Sequence, residues 1–266
     1  MLLPLLLKTW RDRWRGLVAW TTGLILITAV ELYVYPSIRD SGEGMEALVE
    51  GFPEPMQEIF RMTDYTSGAG FLNVEMFSII VPLVFIAVGA SWGAGATADE
   101  EEKGTADLLL TLPVSRTSVL VTKGTAAILV LVGLTIVLAA TLIIGSDMVD
   151  LGVPYSNLVA ACLMSGLLGV LYTAIGFCVG AVTGRRGVAL GVAFTLAIAG
   201  FLLYSLAPMV DVFDTINPAN PFQWAVGGDP LTNGVDVGYA LLFLLVSVLL
   251  FAGAVLAFRR RDIRAE

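Results

Sequence analysis

Five stretches of this chain carry no Asp, Glu, Lys or Arg and are each long enough to cross a bilayer: residues 76–98, 124–146, 151–184, 187–210 and 237–258. A bilayer core takes about 20 helical residues, and inside it only a structure that satisfies its own backbone hydrogen bonds is stable. A sixth stretch, 16–35, holds one carboxylate, Glu31, near an end where it reaches the interface. The run 151–184 is too long for a single span, so Gly152, Pro154, Tyr155, Ser156 and Asn157 are assigned to a preceding loop. Pro82 falls inside the second span and is expected to kink it, because it removes a backbone donor. The expected fold is an all-α integral membrane protein with six transmembrane helices. Composition agrees: 57% of the 266 residues are hydrophobic and 14% charged, against about a quarter charged in soluble domains. That excludes an ordinary water-soluble globule, a disordered chain and a disulfide scaffold.

The basic residues orient the spans. Lys8, Arg11, Arg13 and Arg15 precede the first, and Lys103, Arg116 and Lys123 separate the second from the third. Arg185 and Arg186 separate the fourth from the fifth, and Arg259, Arg260, Arg261 and Arg264 follow the sixth. With both termini inside, thirteen of the fifteen basic residues are cytoplasmic and only Arg39 and Arg61 are outside. Under the positive-inside rule the topology is N-in, C-in. Fifteen of the twenty-three acids then fall outside, so the net charge of −8 describes the exposed outer face rather than a cationic substrate. Twelve arginines against three lysines resemble a salt-adapted, halophile-like composition.

The opening Met-Leu-Leu-Pro-Leu-Leu-Leu-Lys places apolar residues before basic ones, the reverse of a secretory signal. Leu3, Leu6, Leu7, Trp10 and Trp14 recur at helical spacing among basic residues, which reads as an amphipathic helix on the inner membrane surface with its aromatics at headgroup depth. The alternative is an extension of the first span. The longest outer loop, 36–73, has Met45, Leu48, Val49 and Phe52 at helical spacing, and Pro53 to open a second short helix with Met56, Ile59 and Phe60. It is either a lid over a translocation path or packing over the outer helix ends. Before the sixth span, residues 217–224 (Asn-Pro-Ala-Asn-Pro-Phe-Gln-Trp) read as turn chemistry with two interface aromatics.

The loop between the second and third spans is the most informative segment. Asp99, Glu100, Glu101, Glu102 and Lys103 precede Gly104 and Thr105; Thr105 caps a short helix whose apolar stripe is Leu108, Leu109 and Leu112 and whose end is Pro113. Arg116 and Lys123 then lead into the third span. A short amphipathic helix flanked by both signs of charge is either a docking surface for a soluble partner or a solvated inner loop, and the pattern alone favours the solvated loop.

Acidic residues, then Gly104-Thr105, then Leu108-Leu109, then Pro113-Val114-Ser115-Arg116, then Lys123, resemble the corresponding loop of ABC-2 type permeases, the membrane subunits of ATP-binding cassette transporters. The wider layout is similar too: a basic amphipathic first helix, six spans, a Pro-Glu element in the first outer loop, an Asn-Pro element before the sixth span, and Phe258 followed by three arginines and Asp262. Ala106 stands where many relatives have Leu, which thins the stripe. The resemblance implies one permease domain over 1–266 with type V exporter-like architecture: an elbow helix at 1–15 carrying Trp10, Arg11 and Trp14, the outer loop at 36–73, and a cytoplasmic coupling loop at 99–118. In that loop Leu109 and Leu112 would touch the ATPase, Glu100, Glu101 and Arg116 would set orientation, and Gly104, Thr105 and Pro113 would shape the helix.

No G-x-x-x-x-G-K-[ST] occurs, so the chain has no phosphate-cradling loop. It has no His, and Cys162 and Cys178 are too far apart for a C-x-x-C motif. The span interiors carry no ionisable group near midplane to bind a driving proton. Energy is therefore expected from a separate ATP-binding cassette ATPase that holds the ATP and Mg; no cofactor is expected here, no catalysis, and no nucleic-acid partner. A second permease copy, identical or not, completes the expected assembly in the cell membrane, and export is the expected direction. A membrane-embedded enzyme and a non-catalytic assembly factor are the alternatives. Small residues at four-residue spacing, Gly176, Gly180, Gly184, Gly187 and Gly191, mark close helix packing, within the subunit or across a dimer seam. Apolar, lightly hydroxylated spans suit a lipid-like or amphipathic cargo.

Overall fold

The apolar stretches become long helices in the computed structural model, which describes residues 2–42, 44, 51–52, 64–102 and 116–260. A short helix, α1 (Leu2–Asp12), is separated by a break at Arg13 from α2 (Trp14–Asp40). After the outer loop come α3 (Gly68–Leu72), a π-helical turn (Asn73–Phe77) and α4 (Ile80–Glu102). Then follow α5 (Arg116–Val149), α6 (Tyr155–Thr183) and α7 (Arg186–Leu206), short elements including α8 (Asp211–Ile216) and α9 (Pro230–Asn233), and finally α10 (Val237–Arg260). Among the described residues six helices are long and apolar enough to cross a membrane, as the sequence predicts.

Their ends differ from expectation for identifiable reasons. The outer loop is expected from residue 36, yet α2 runs through Pro36 to Asp40. Tyr35 is buried against Phe71, with ring centroids 5.4 Å apart, and Arg39 donates to the Val149 carbonyl at 3.0 Å. Docking on both sides of the proline outweighs the one backbone bond it removes. At the loop's other end the chain becomes helical at Gly68 rather than after Asn73, because the Ser67 hydroxyl caps α3 by accepting from the Gly70 N–H. Pro82 disturbs the second span on its N-terminal side. Its ring crowds the carbonyl four residues back, at Ser78, so the ladder is irregular through the π turn and residues 78–79. It resumes where the Leu83 N–H donates to the Ile79 carbonyl. Tyr155, Ser156 and Asn157, expected in a loop, form the first turn of α6. Of the two amphipathic helices expected over 45–60, all but residues 51 and 52 lie outside the described residues.

α6 is the axis of the bundle, 72% buried over its most apolar window, whereas α2 and α10 are each 17% buried and present apolar faces outward. α6 packs against α4, α5, α7 and α10. The α4–α6 pair is a wall between two cores. On one side Leu24 and Leu32 of α2 and Leu131 and Leu138 of α5 meet Val81 and Phe85. On the other Met164, Leu168 and Tyr172 meet Ala193 and Ala197 of α7 and Phe243 of α10.

Glycines make that wall thin. A Cβ at Gly89 would strike the Gly169 carbonyl, one at Gly93 the Thr173 carbonyl, one at Gly180 the Thr97 hydroxyl, and one at Gly176 would lie 2.8 Å from the Ala90 carbonyl. Gly176 and Gly180 therefore pack as the spacing predicts, and Gly89, Gly93 and Gly169 join them. Gly184 does something else: it ends α6 in the left-handed conformation (φ 64°), bonding back to Gly180. Gly187 and Gly191 do not pack within this subunit, which leaves the dimer seam as the reading for them. Both are exposed on α7, and a Cβ on either meets nothing within 4 Å.

The segment between α7 and α10 is not a surface turn. Phe222 is fully buried and Trp224 is 8% exposed. The Asn220 side chain donates to the Gly200 carbonyl at 2.8 Å and accepts the Phe222 N–H at 3.1 Å, while the Trp224 indole donates to the Pro218 carbonyl at 2.7 Å. Gly200 lies six residues before the end of α7, about 9 Å along the helix. The chain thus dips back into the bundle, with Asn217 and Asn220 supplying bonds that a regular helix would make for itself.

Because the α4–α6 seam rests on backbone contact, Gly93→Ala should destabilise the protein by about 1–3 kcal/mol, read as a lowered thermal midpoint in detergent. Gly191→Ala, on an open face, should leave the midpoint unchanged or slightly raised. Equal midpoints for the two variants would refute this account of the seam.

Candidate functional site

The breaks in the helical pattern bring charge together at one end of the bundle, called here the basic end. Ser91, Gly95 and Asp99 recur every four residues on α4 and so share one face. The Arg13 side chain lies along that face, bonded to the Asp99 carboxylate and donating to the Ser91 carbonyl at 3.3 Å. Gly95 makes the seat, since a Cβ there would overlap the guanidinium. The same guanidinium stands 5.0 Å from the centre of the Trp92 ring, a cation–π contact. Arg13 reaches this position because the chain breaks there, with φ −121° and ψ 13°, between α1 and α2.

A second arginine arrives from α7. Arg186 Nε is 3.5 Å from the other Asp99 oxygen, and its terminal nitrogen donates to the Ser91 hydroxyl at 3.2 Å. Its backbone N–H, one of the unpaired donors at the start of α7, donates to the Glu102 carboxylate at 2.6 Å. Asp99 thus ties the beginnings of α2 and α7 to the end of α4. The Asp99 side chain is 12% exposed and Arg13 24%, so the contact is only partly screened.

The elbow residues divide between elements. Trp10 lies on α1, but its indole donates to the Ala126 carbonyl of α5 at 3.2 Å. The half-buried ring packs against the bundle, and its indole N–H finds the acceptor it needs there. Arg11 is exposed on α1. Trp14 opens α2 instead of belonging to the elbow, is 54% exposed, and lies under the Arg15 guanidinium at 5.8 Å. Of the coupling residues, Glu100 and Glu101 sit in the last turn of α4 and Arg116 opens α5. Gly104, Thr105, Leu109, Leu112 and Pro113 lie outside the described residues. The Arg13, Ser91, Gly95, Asp99, Arg186 constellation is absent from the sequence reading, although the four-residue spacing ending on a carboxylate is visible there.

At the opposite end a cavity of about 400 Å³ opens between the two irregular segments. Asn73 and Phe77 of one π turn and Ala225 and Val226 of the other line it, with Asp64 and Asp229 at its sides. Beside it Tyr65 donates to the Glu75 carboxylate, and burial together with that carboxylate pushes the phenol well above its ordinary range. Among the described residues no group of three or more Cys, Asp or Glu side chains is placed to hold a metal ion.

Removing Asp99 leaves two guanidiniums facing each other, so Asp99→Ala should lower stability by about 2–3 kcal/mol, below the 3–5 of a fully buried pair because both partners keep some water. Adding Arg13→Gln should recover at least 1 kcal/mol of that loss in a double-mutant cycle on thermal midpoints. Strict additivity would show that the contact is incidental.

A search of curated proteins gives no significant match, whereas the family model of the ABC-2 family transporter protein matches residues 3–263. That match runs from α1 through all six spans, including the seat on α4 and the segment that dips back beside α7. The chain belongs to the ABC-2 transporter family, as a multi-pass membrane component of an ATP-binding cassette transporter.

Proposed function

We propose that this chain is the permease subunit that forms the translocation path of an exporter, powered by a separate ATP-binding chain that holds the ATP and Mg. It sits in the cell membrane with both termini and the basic end in the cytoplasm, and works as a pair of permease copies. The observation that carries this reading is the joint at Asp99. The 103–115 loop, where the family resemblance puts the coupling helix, leaves α4 within four residues of Asp99 and returns at Arg116 into α5. α5 spans 34 residues, about 51 Å, well beyond a bilayer core of about 30 Å. A push on that loop therefore moves the end of α4, through Asp99 the starts of α2 and α7, and through the Trp10 to Ala126 bond the elbow helix α1. One contact surface commands four elements besides α5.

The spans also support transport over membrane-embedded chemistry. The hydroxyls of Ser165 and Thr173 donate to carbonyls four residues back in their own helix, at 2.9 Å each. They satisfy themselves locally and do not converge on a common point.

Two experiments bear on the reading. With Cys162 and Cys178 replaced by Ala, a cysteine at Asp229 should react with an impermeant thiol reagent in intact cells, and one at Arg185 only after permeabilisation. The opposite pattern inverts the topology. Leu109→Asp puts a charge into the proposed ATPase contact while lying outside the bilayer. It should leave the chain inserted and folded but reduce the co-purified ATPase at least tenfold. Undiminished recovery of the ATPase would make residues 99–118 a mere connector.

A further inference from the structure

We propose that a cavity at the basic end, between α2, α4 and α7, binds the phosphate of an anionic phospholipid. The cavity measures about 360 Å³ and is lined by Arg13, Gly16, Trp20, Ser91, Trp92 and Arg186, with Asp99 at its base. That is within the range of about 300–1,000 Å³ usual for small-molecule sites. Within the cavity two guanidiniums meet one carboxylate, and Glu102 is engaged by the Arg186 backbone N–H rather than by its side chain. Each guanidinium offers five donors. Arg13 uses its two terminal nitrogens on Asp99 and the Ser91 carbonyl, and Arg186 uses one on the Ser91 hydroxyl. Arg186 Nε is shielded from water and has no hydrogen-bond acceptor. A tetrahedral anion supplies acceptors for the guanidinium donors left over, and guanidiniums bind phosphate oxygens in a bidentate fork.

The surroundings select a lipid as the source of that phosphate. Arg13 and Arg186 stand at helix beginnings, where headgroup phosphates lie. Trp20 is seven residues along α2 from Arg13, about 10 Å toward the bilayer centre, and its indole is 40% exposed on the least buried flank of the bundle. An indole at that depth suits the ester and upper acyl region of a phospholipid. Gly16 lines the cavity with open space beside it, since a Cβ there meets nothing within 4 Å, so a larger side chain has room to fill the entrance. Arg11, Arg15 and Arg185 are exposed nearby in the chain and add positive field. A basic pocket between spans has the chemistry of a headgroup site. The inference uses only the membrane placement of the chain and is independent of the ATPase.

The test uses the full chain, purified in a neutral detergent and doped with phosphatidylglycerol, phosphatidylcholine or inorganic phosphate. Bound lipid is counted by native mass spectrometry and stabilisation is read from the thermal midpoint. Phosphatidylglycerol should be retained at least fivefold over phosphatidylcholine and should raise the midpoint, while millimolar inorganic phosphate does neither. Gly16→Leu closes the mouth without touching the Arg13–Asp99 contact, so it should erase the preference yet melt like the native chain in detergent alone. Arg186→Gln should weaken retention severalfold, and Arg11→Gln should not. Equal retention of the two lipids, full retention by Gly16→Leu, or equal stabilisation by inorganic phosphate would each overturn the proposal.

Discussion

Everything in this bundle hangs on the approach of α4 to α6. Lipid tails are as apolar as leucine, so no hydrophobic force presses one span against another in the membrane. Helices associate there by dispersion and by bonds that improve at short range, and short range requires backbones without side chains between them. Gly89 and Gly93 face Gly169 and Thr173, while Gly176 and Gly180 face Ala90 and Thr97. Each helix is smooth where the other is closest. Two cores then form on the two faces of that wall, and α2, α5, α7 and α10 need only lean on it.

A close pair of helices leaves room for irregular backbone elsewhere, provided its polar groups are satisfied. The π turns at Asn73–Phe77 and Gln223–Gly227 both lie at the end opposite the basic one, where they line one cavity. The first follows from the Pro82 ring crowding the Ser78 carbonyl. The second is held by Asn217, Asn220 and the Trp224 indole, which trade side-chain bonds for missing backbone ones. Such turns recur at functional positions in helices. Here they face one cavity, where a fully regular pair of helices would have closed the gap.

Six spans were legible because the bilayer sets their length and forbids charge within them, so composition alone marks them. Their ends were less so. Pro36 reads as a helix terminator until Tyr35 and Arg39 are seen docked on either side of it, and the Phe222 and Trp224 pair reads as interfacial until Asn220 is seen bonded to Gly200. Four-residue spacing of glycine finds a smooth stripe but not the neighbour that meets it. Hence Gly176 and Gly180 pack, while Gly187 and Gly191, with the same spacing, face outward. The joint at Asp99 was the least legible, since Arg13 is 86 residues away. The positive-inside rule counts Arg13 and Arg186 as charges on one side and is blind to the carboxylate they share.

The strength of that joint decides what it can do. Two opposite charges about 4 Å apart attract by about 4 kcal/mol at an effective dielectric near 20. Here the attraction is reduced by residual water and by repulsion between Arg13 and Arg186. What remains is several times thermal energy, enough to hold α2, α4 and α7 in one arrangement at rest. It is also small enough that a partner favouring, by a few kcal/mol, an arrangement with α2, α4 and α7 parted would shift the balance, because a ligand moves an equilibrium only by its differential affinity for the two states. A fully buried pair in a close-packed core would be far harder to part. The water left around Asp99, at 12% side-chain exposure, makes this contact easier to part than one sealed in a dry core.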